Sequence, residues 1–260
     1  MFPLFFGSSP NLLFGAHSSP SKAARDTGVV IVPPMGQEAI RAHRAIRQLG
    51  LRLSRERFHA LRFDLRGTGD SAGDFADARL DAWVEDTRAA MDELRDRTGI
   101  QRVSLVGLRL GAALACRAAH GRRDVDKIIL WEPVFSGARY LGELAKRHED
   151  FLRAELPRRR TAPFAREGEV LGFPLSKELA DDLRAIDLPR EPKLDARAAT
   201  VVTIAGADDE ALERALPSMA PRTELVRLTL AQDWNSDEAV NTSLVPSEAL
   251  DVIVKAVGER

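Results

Sequence analysis

Val103-Ser104-Leu105-Val106-Gly107-Leu108-Arg109-Leu110-Gly111 is the stretch on which the reading of this chain turns. Val103, Leu105 and Val106 make a short apolar run that enters Gly107 directly. An Ala-rich segment then begins at about Leu110 and ends before Gly121. That pattern is a buried strand passing into a helix through one sharp turn. The two glycines let strand and helix approach closely, and Arg109 stands at the apex, in front of the positive end of the helix. Gly-x-x-x-Gly alone carries little information. Between a buried strand and a helix it is specific.

Working outward, the same alternation repeats. Residues 4–18 read as a hairpin with Ser8-Ser9-Pro10-Asn11 as its turn. Gly28–Val32 is a buried strand that ends at Pro33-Pro34, because proline cannot continue a central ladder. A helix is expected from about Glu38 to Arg55, with Ile40, His43, Ile46, Leu49 and Leu53 on its inner face. Phe58–Phe63 is the next strand, followed by the Gly-rich loop 64–73. Leu80, Trp83, Val84, Thr87, Met91 and Leu94 outline a second helix. Ile128–Trp131 is a strand stopped by Glu132-Pro133.

The alternation breaks between about Ser136 and Lys193. Tyr140, Leu141, Leu144, His148, Phe151 and Leu152 form one helical stripe, and Ser176 is suited to N-cap a helix over Lys177–Ile186. Residues 136–193 are therefore expected as a helical cap inserted between the sixth and seventh strands of a single domain spanning 1–260. Alternation resumes with strand Thr200–Ala205, a helix around Glu210–Leu216, strand Glu224–Leu230 and a last helix from near Pro246. Leu250, Ile253, Val254 and Val257 are the buried face of that last helix. The expected fold class is α/β, with a mostly parallel sheet of about eight strands covered by helices on both sides.

Composition excludes several roles. The 260 residues carry a net charge of -1, so the basic excess of a general nucleic-acid binder is missing. Only six of the 38 basic residues are lysine, which reads as compositional bias. Cys116 is the sole cysteine, so an intramolecular disulfide is impossible. The five histidines show no metal-ligand spacing. No cofactor and no metal are expected. The apolar start, Met1–Phe6, lacks a basic flank and is not a signal peptide. No apolar run approaches the ~20 residues of a membrane span, and a cytoplasmic setting is expected. A protein partner or a homodimer fits the composition equally.

Several motifs together resemble the α/β-hydrolase superfamily, near the serine-aminopeptidase-like and exosortase-A-system-associated hydrolases. They are Pro33-Pro34-Met35-Gly36-Gln37-Glu38, Arg62-Phe63-Asp64-Leu65-Arg66-Gly67-Thr68-Gly69-Asp70-Ser71-Ala72-Gly73, the elbow Gly107–Gly111, Leu130-Trp131-Glu132-Pro133-Val134 and Gly172-Phe173-Pro174-Leu175. The resemblance implies a nucleophile, an acid and a histidine in that chain order. The nucleophile position is Arg109, whose guanidinium has no lone pair to give. The acid position is matched by Gly206-Ala207-Asp208-Asp209; the spacing favours Asp209, with Asp208 as the alternative. Where the histidine should follow the eighth strand, the chain reads Ala231-Gln232-Asp233-Trp234-Asn235, and its last histidine is His148. By the same resemblance, backbone N–H groups of Leu110 and of Met35 or Gly36 would form an oxyanion hole. No residue is therefore assigned a catalytic role. Losing either the serine or the histidine cripples a serine mechanism.

Two roles for Arg109 follow. It could be sealed by an ion pair with Glu132, Asp208 or Asp209, because a largely buried cation needs a partner. It could instead bind a small anionic or acyl-bearing ligand at the helix N-terminus. An active hydrolase built on an unconventional set, with water activated by His43 or His148, is the alternative. Ser71 is explained by turn chemistry, Cys116 by core packing, and Arg158-Arg159-Arg160 by a solvated turn.

Overall fold

Strand propensity and helical periodicity alternate along the chain, and the folded elements follow them. In chain order they are β1 (Phe2–Phe6), β2 (Leu13–Ser18), β3 (Thr27–Val32), α1 (Gly36–Arg55), β4 (Ala60–Phe63), α2 (Leu80–Thr98), β5 (Arg102–Leu108), α3 (Leu110–Ala119) and β6 (Val125–Trp131). Then come α4 (Gly137–Glu155), β7 (Glu169–Val170), β8 (Phe173–Pro174), α5 (Lys177–Arg184), β9 (Ala198–Ile204), α6 (Asp209–Met219), β10 (Thr223–Leu228) and α7 (Ser247–Gly258). The structure, a computed structural model, describes residues 1–155, 168–191, 193–204, 209–229, 234 and 245–259. Arg158-Arg159-Arg160, Asp208 and the segment between Asn235 and Leu244 lie outside the described residues.

Eight strands form one sheet in the order β1-β2-β4-β3-β5-β6-β9-β10. The β1–β2 and β2–β4 pairs are antiparallel and the other pairs are parallel. Consecutive side chains of a strand point to opposite faces, and β3 shows the result. Val30 and Val32 belong to the core shared with α2 and α3, whereas Val29 and Ile31 belong to the core shared with α1 and α7. Each face is thus closed by helices, and the central strands β3, β5 and β6 are buried along almost all of their length. Trp83, Met91 and Leu94 of α2 and Ala112, Ala113 and Leu114 of α3 are fully buried on one side. Burying each of the large side chains contributes about 1.5–3 kcal/mol.

From β3 the chain crosses to β4 on one side and returns to β5 on the other. The strand order therefore reverses between β3 and β5. At such a point the loops leaving the carboxyl ends of the two strands diverge and open a crevice. Here those loops are the segment 33–35 and the turn at Arg109.

Between β6 and β9 the chain forms α4, the two-stranded β7–β8 ribbon and α5. Ser176 caps α5, its hydroxyl accepting the Leu179 N–H at 3.1 Å. Tyr140, Leu144 and His148 are buried at four-residue spacing along α4, but Phe151 is half exposed. The sequence carries little strand signal in the region of this short ribbon.

The inner face of α1 differs from expectation. Ile40 is 61% exposed and His43 is exposed too. The helix begins at Gly36, and the buried stripe runs through Glu38, Ala42, Ala45, Ile46, Leu49 and Leu53. A buried carboxylate near its start breaks the apolar pattern from which the face was read. No helix among the described residues is long and apolar enough to cross a membrane.

Candidate functional site

The turn from β5 to α3 is as tight as its glycines suggest. A side chain on Gly107 would collide with the backbone of Gly111, and one on Gly111 would collide with the carbonyls of Val32 and Pro33. The β3–α1 loop therefore lies directly against the start of α3. Arg109 takes φ 52° and ψ -116°, a conformation L-residues adopt only when the surroundings enforce it. The enforcement is visible. Its N–H donates to the Trp131 carbonyl at 3.0 Å, and its carbonyl accepts from Ala112 and Val134 at 3.1 and 3.3 Å.

The guanidinium projects into a nest of acceptors. Arg109 Nε donates to Glu38 Oε1 at 3.0 Å, and one terminal nitrogen donates to the Glu132 carbonyl at 3.3 Å. The other lies 3.6 Å from Glu143 Oε2. Tyr140 donates its hydroxyl to Glu38 Oε2 at 2.8 Å, and its ring centroid is 5.6 Å from the guanidinium carbon. The Arg109 side chain is 19% exposed and that of Glu38 1%. Burial works against the charge on Arg109, but the Glu38 carboxylate, through its charge and its hydrogen bond, more than offsets it, so the cation is held firmly protonated. Burial, then Glu38, drives the Tyr140 phenol well above its usual range.

The expected partners were Glu132, Asp208 or Asp209; the described ion-pair partners are Glu38 and Glu143. Glu132 contributes its backbone carbonyl instead. Asp209 opens α6, but its side chain, like all of Asp208, lies outside the described residues. Glu38 was visible in the sequence as the end of the Pro33–Glu38 motif. Only its pairing was missed.

Glu132 turns its side chain elsewhere. Its backbone has φ 44°, and its Oε2 accepts the indole N–H of Trp234 at 3.0 Å. Oε1 is buried without a hydrogen-bond partner among the described residues. Burial pushes this carboxyl up to about 7, with the Arg109 charge and the Trp234 hydrogen bond opposing. Trp234 is 5% exposed and packs edge-on against Trp131, with ring centroids 5.2 Å apart. An indole N–H can donate as an imidazole N–H does, but it offers no acceptor for a neighbouring hydroxyl.

Met35, Gly36 and Leu110 are all buried around this crevice. Gly36 has φ 58°, and the Phe173 ring lies 3.6 Å from where its side chain would begin. His148 accepts the Leu171 N–H on Nδ1 at 3.1 Å, and the Leu171 carbonyl accepts from Gln37 at 3.3 Å, which ties α4 and the β7–β8 turn to α1. Cys116 is buried and its thiol is pushed up to about 12 by burial, so it is inert at neutral pH. Among the described residues no group of three or more His, Cys, Asp or Glu side chains is placed to hold a metal ion.

The chain is similar to known proteins across its whole fold. Among solved structures, Est1E from Butyrivibrio proteoclasticus, a structure with bound ferulic acid, superposes with a TM-score of 0.65 at 17% identity, covering 98% of this chain and 96% of that one. A putative hydrolase from Agrobacterium vitis S4 does so with a TM-score of 0.59 at 17% identity over 98% and 96%. XC6422 from Xanthomonas campestris, described as an α/β serine hydrolase without a lid, gives 0.57 at 17% over 98% and 94%. No curated protein matches the sequence significantly. The family described as serine aminopeptidase, S33, matches residues 25–205. With the parallel sheet, the elbow at its centre and this match over most of its length, the chain belongs to the serine aminopeptidase S33 family of α/β hydrolases.

Proposed function

We propose that this chain is a non-hydrolytic member of its family, which binds a small molecule or serves as an accessory factor and does not turn over an ester or amide through a serine relay. One observation carries the reading: the elbow side chain is Arg109, and its guanidinium is paired with the buried Glu38. A guanidinium cannot attack a carbonyl. Trp234, at the place of the relay histidine, can donate to Glu132 but cannot accept a proton. No histidine follows Asp208 and Asp209, the residues matched to the acid, in the chain.

The oxyanion donors suggested for Met35, Gly36 and Leu110 remain part of this proposal. Because Arg109 already faces two carboxylates, the crevice suits an acyl-bearing or singly charged ligand better than a highly charged anion. The resemblance to exosortase-A-system-associated hydrolases supports a bacterial cell-envelope or polysaccharide-export setting, with the protein itself in the cytoplasm.

A second reading has one observation in its favour. Glu132 is buried, holds one oxygen without a described partner, and has its carboxyl pushed up to about 7. Such a group could take a proton from water. His43 and His148, the bases first considered, are less suited, since the first is exposed and the second accepts from Leu171.

Turnover of short-chain 4-nitrophenyl esters and aminoacyl 4-nitroanilides separates the two. The proposal expects background rates in the wild type, unchanged by Glu132→Gln. Saturable turnover lost in Glu132→Gln would establish the second reading instead.

A further inference from the structure

A crevice opens beside the site along α1 and reaches it at Gly36. It holds about 760 Å³, within the range of roughly 300–1,000 Å³ typical of small-molecule sites. Its apolar wall is Phe14, Phe75, Phe173 and Ile40. Phe75 and Phe173 pack with ring centroids 5.2 Å apart. Ile40 presents its side chain to solvent at 61% exposure, and folding alone gives no reason for an isoleucine there.

The polar wall is centred on Arg62 of β4. This guanidinium is half-buried and, among the described residues, makes a single hydrogen bond, from a terminal nitrogen to His43 Nε2 at 3.2 Å. An arginine only donates, so His43 accepts there and is neutral. Burial, and then Arg62 itself, lowers the His43 pKa in agreement. Arg62 Nε is buried without a hydrogen-bond partner, and Arg62 makes no ion pair among the described residues. Most other half-buried arginines of this protein are paired: Arg66 with Asp86, Arg117 with Glu191, Arg122 with Asp92 and Asp124.

Two carboxylates bear on the crevice. Asp64 lies against Gly69 and accepts the Asp70 N–H at 3.2 Å, and its charge also acts on Arg62 at longer range without a hydrogen bond to it. Asp70 is exposed at the rim. Arg47 adds a second positive charge within electrostatic reach of Arg62 and His43. The local charges nearly balance, which admits one negative charge at Arg62 and repels more than one.

We propose that this crevice is a binding site for a monocarboxylic acid with an aromatic or branched apolar body, its carboxylate on Arg62 and its body on Phe14, Ile40, Phe75 and Phe173. The proposal rests on the binding half of the function above and is independent of what Arg109 does.

Calorimetric titration with 4-phenylbutyrate, its neutral amide and inorganic phosphate tests it on the wild type, Arg62→Gln, Ile40→Asp and Arg109→Gln. The expected result is saturable binding of the acid, with the amide and phosphate at least tenfold weaker. Arg62→Gln and Ile40→Asp should each weaken the acid at least tenfold. Ile40 is exposed, so its variant decides the matter if Arg62→Gln does not fold. No binding to the wild type, equal affinity for acid and amide, or acid affinity unchanged in either crevice variant would overturn the proposal. Loss in Arg109→Gln with retention in Arg62→Gln would place the ligand at the elbow and overturn it too. Acid binding that ignores Arg62 leaves the non-hydrolytic reading standing; ester turnover would remove that reading and leave this one.

Discussion

Replacing a neutral side chain by a guanidinium at the elbow places a charge where water is scarce. Taking that charge out of water costs several kcal/mol, and Glu38, itself held by the Tyr140 hydroxyl, offsets it through its charge and hydrogen bond. Among the described residues, Glu38→Ala would leave Arg109 with the Glu132 carbonyl and the more distant, half-exposed Glu143. We predict a loss of about 3 kcal/mol in urea unfolding, with most of it recovered in a Glu38→Leu, Arg109→Met double variant, because apolar replacement of a buried pair is close to neutral. A loss under 1 kcal/mol in the single variant would show that the pair is incidental.

Glu132 makes a pH prediction at the same scale. Its folded value of about 7 lies above its ordinary 4.5. Between those values the folded state keeps a proton that the unfolded state has released. Stability from this group is therefore complete below about 4.5 and falls as pH rises to about 7, by up to about 3 kcal/mol, and then levels off. Glu132→Gln keeps the acceptor for Trp234 and removes the titration. The difference in unfolding free energy between wild type and variant should shift in that direction from pH 4.5 to 7.5. A difference independent of pH would contradict the assignment.

At the scale of elements, the region between β6 and β9 is fastened by close backbone contact as well as by side chains. A methyl on Gly137 would overlap the Leu183 carbonyl, where α4 begins against α5. Gly137→Ala should destabilise the fold by about 1–3 kcal/mol, read by thermal or urea unfolding, because overpacking forces backbone shifts. A variant as stable as wild type would mean that the two helices move apart freely.

Legibility also divides at this scale. The elbow, most central strands and the helices flanking them are readable because each follows one period, and β3, β5, α2 and α3 stop at proline or glycine. The inner face of α1 was misread because Glu38 is buried: a pattern built on apolar residues assigns the inward position to Ile40. The β7–β8 ribbon is too short to carry a period. The pairing of Arg109 with Glu38 could not be read at all. It spans 71 positions and depends on the loop after β3 being pressed against α3 by Gly111. Trp234 could be placed after the eighth strand, but its hydrogen bond to Glu132 appears only once β6 and the segment beyond β10 are brought together.

For the whole molecule, the fold has a switch point between β3 and β5, a strained turn at Arg109 and buried backbone at 35–36 and 110. On the proposed reading, the chemistry mounted on it is no longer that of a serine relay. The most direct test is the intact mass of the wild-type protein after exposure to excess fluorophosphonate. The account predicts no adduct, since no serine stands at the elbow to be phosphonylated. A stoichiometric adduct on a single serine would contradict it.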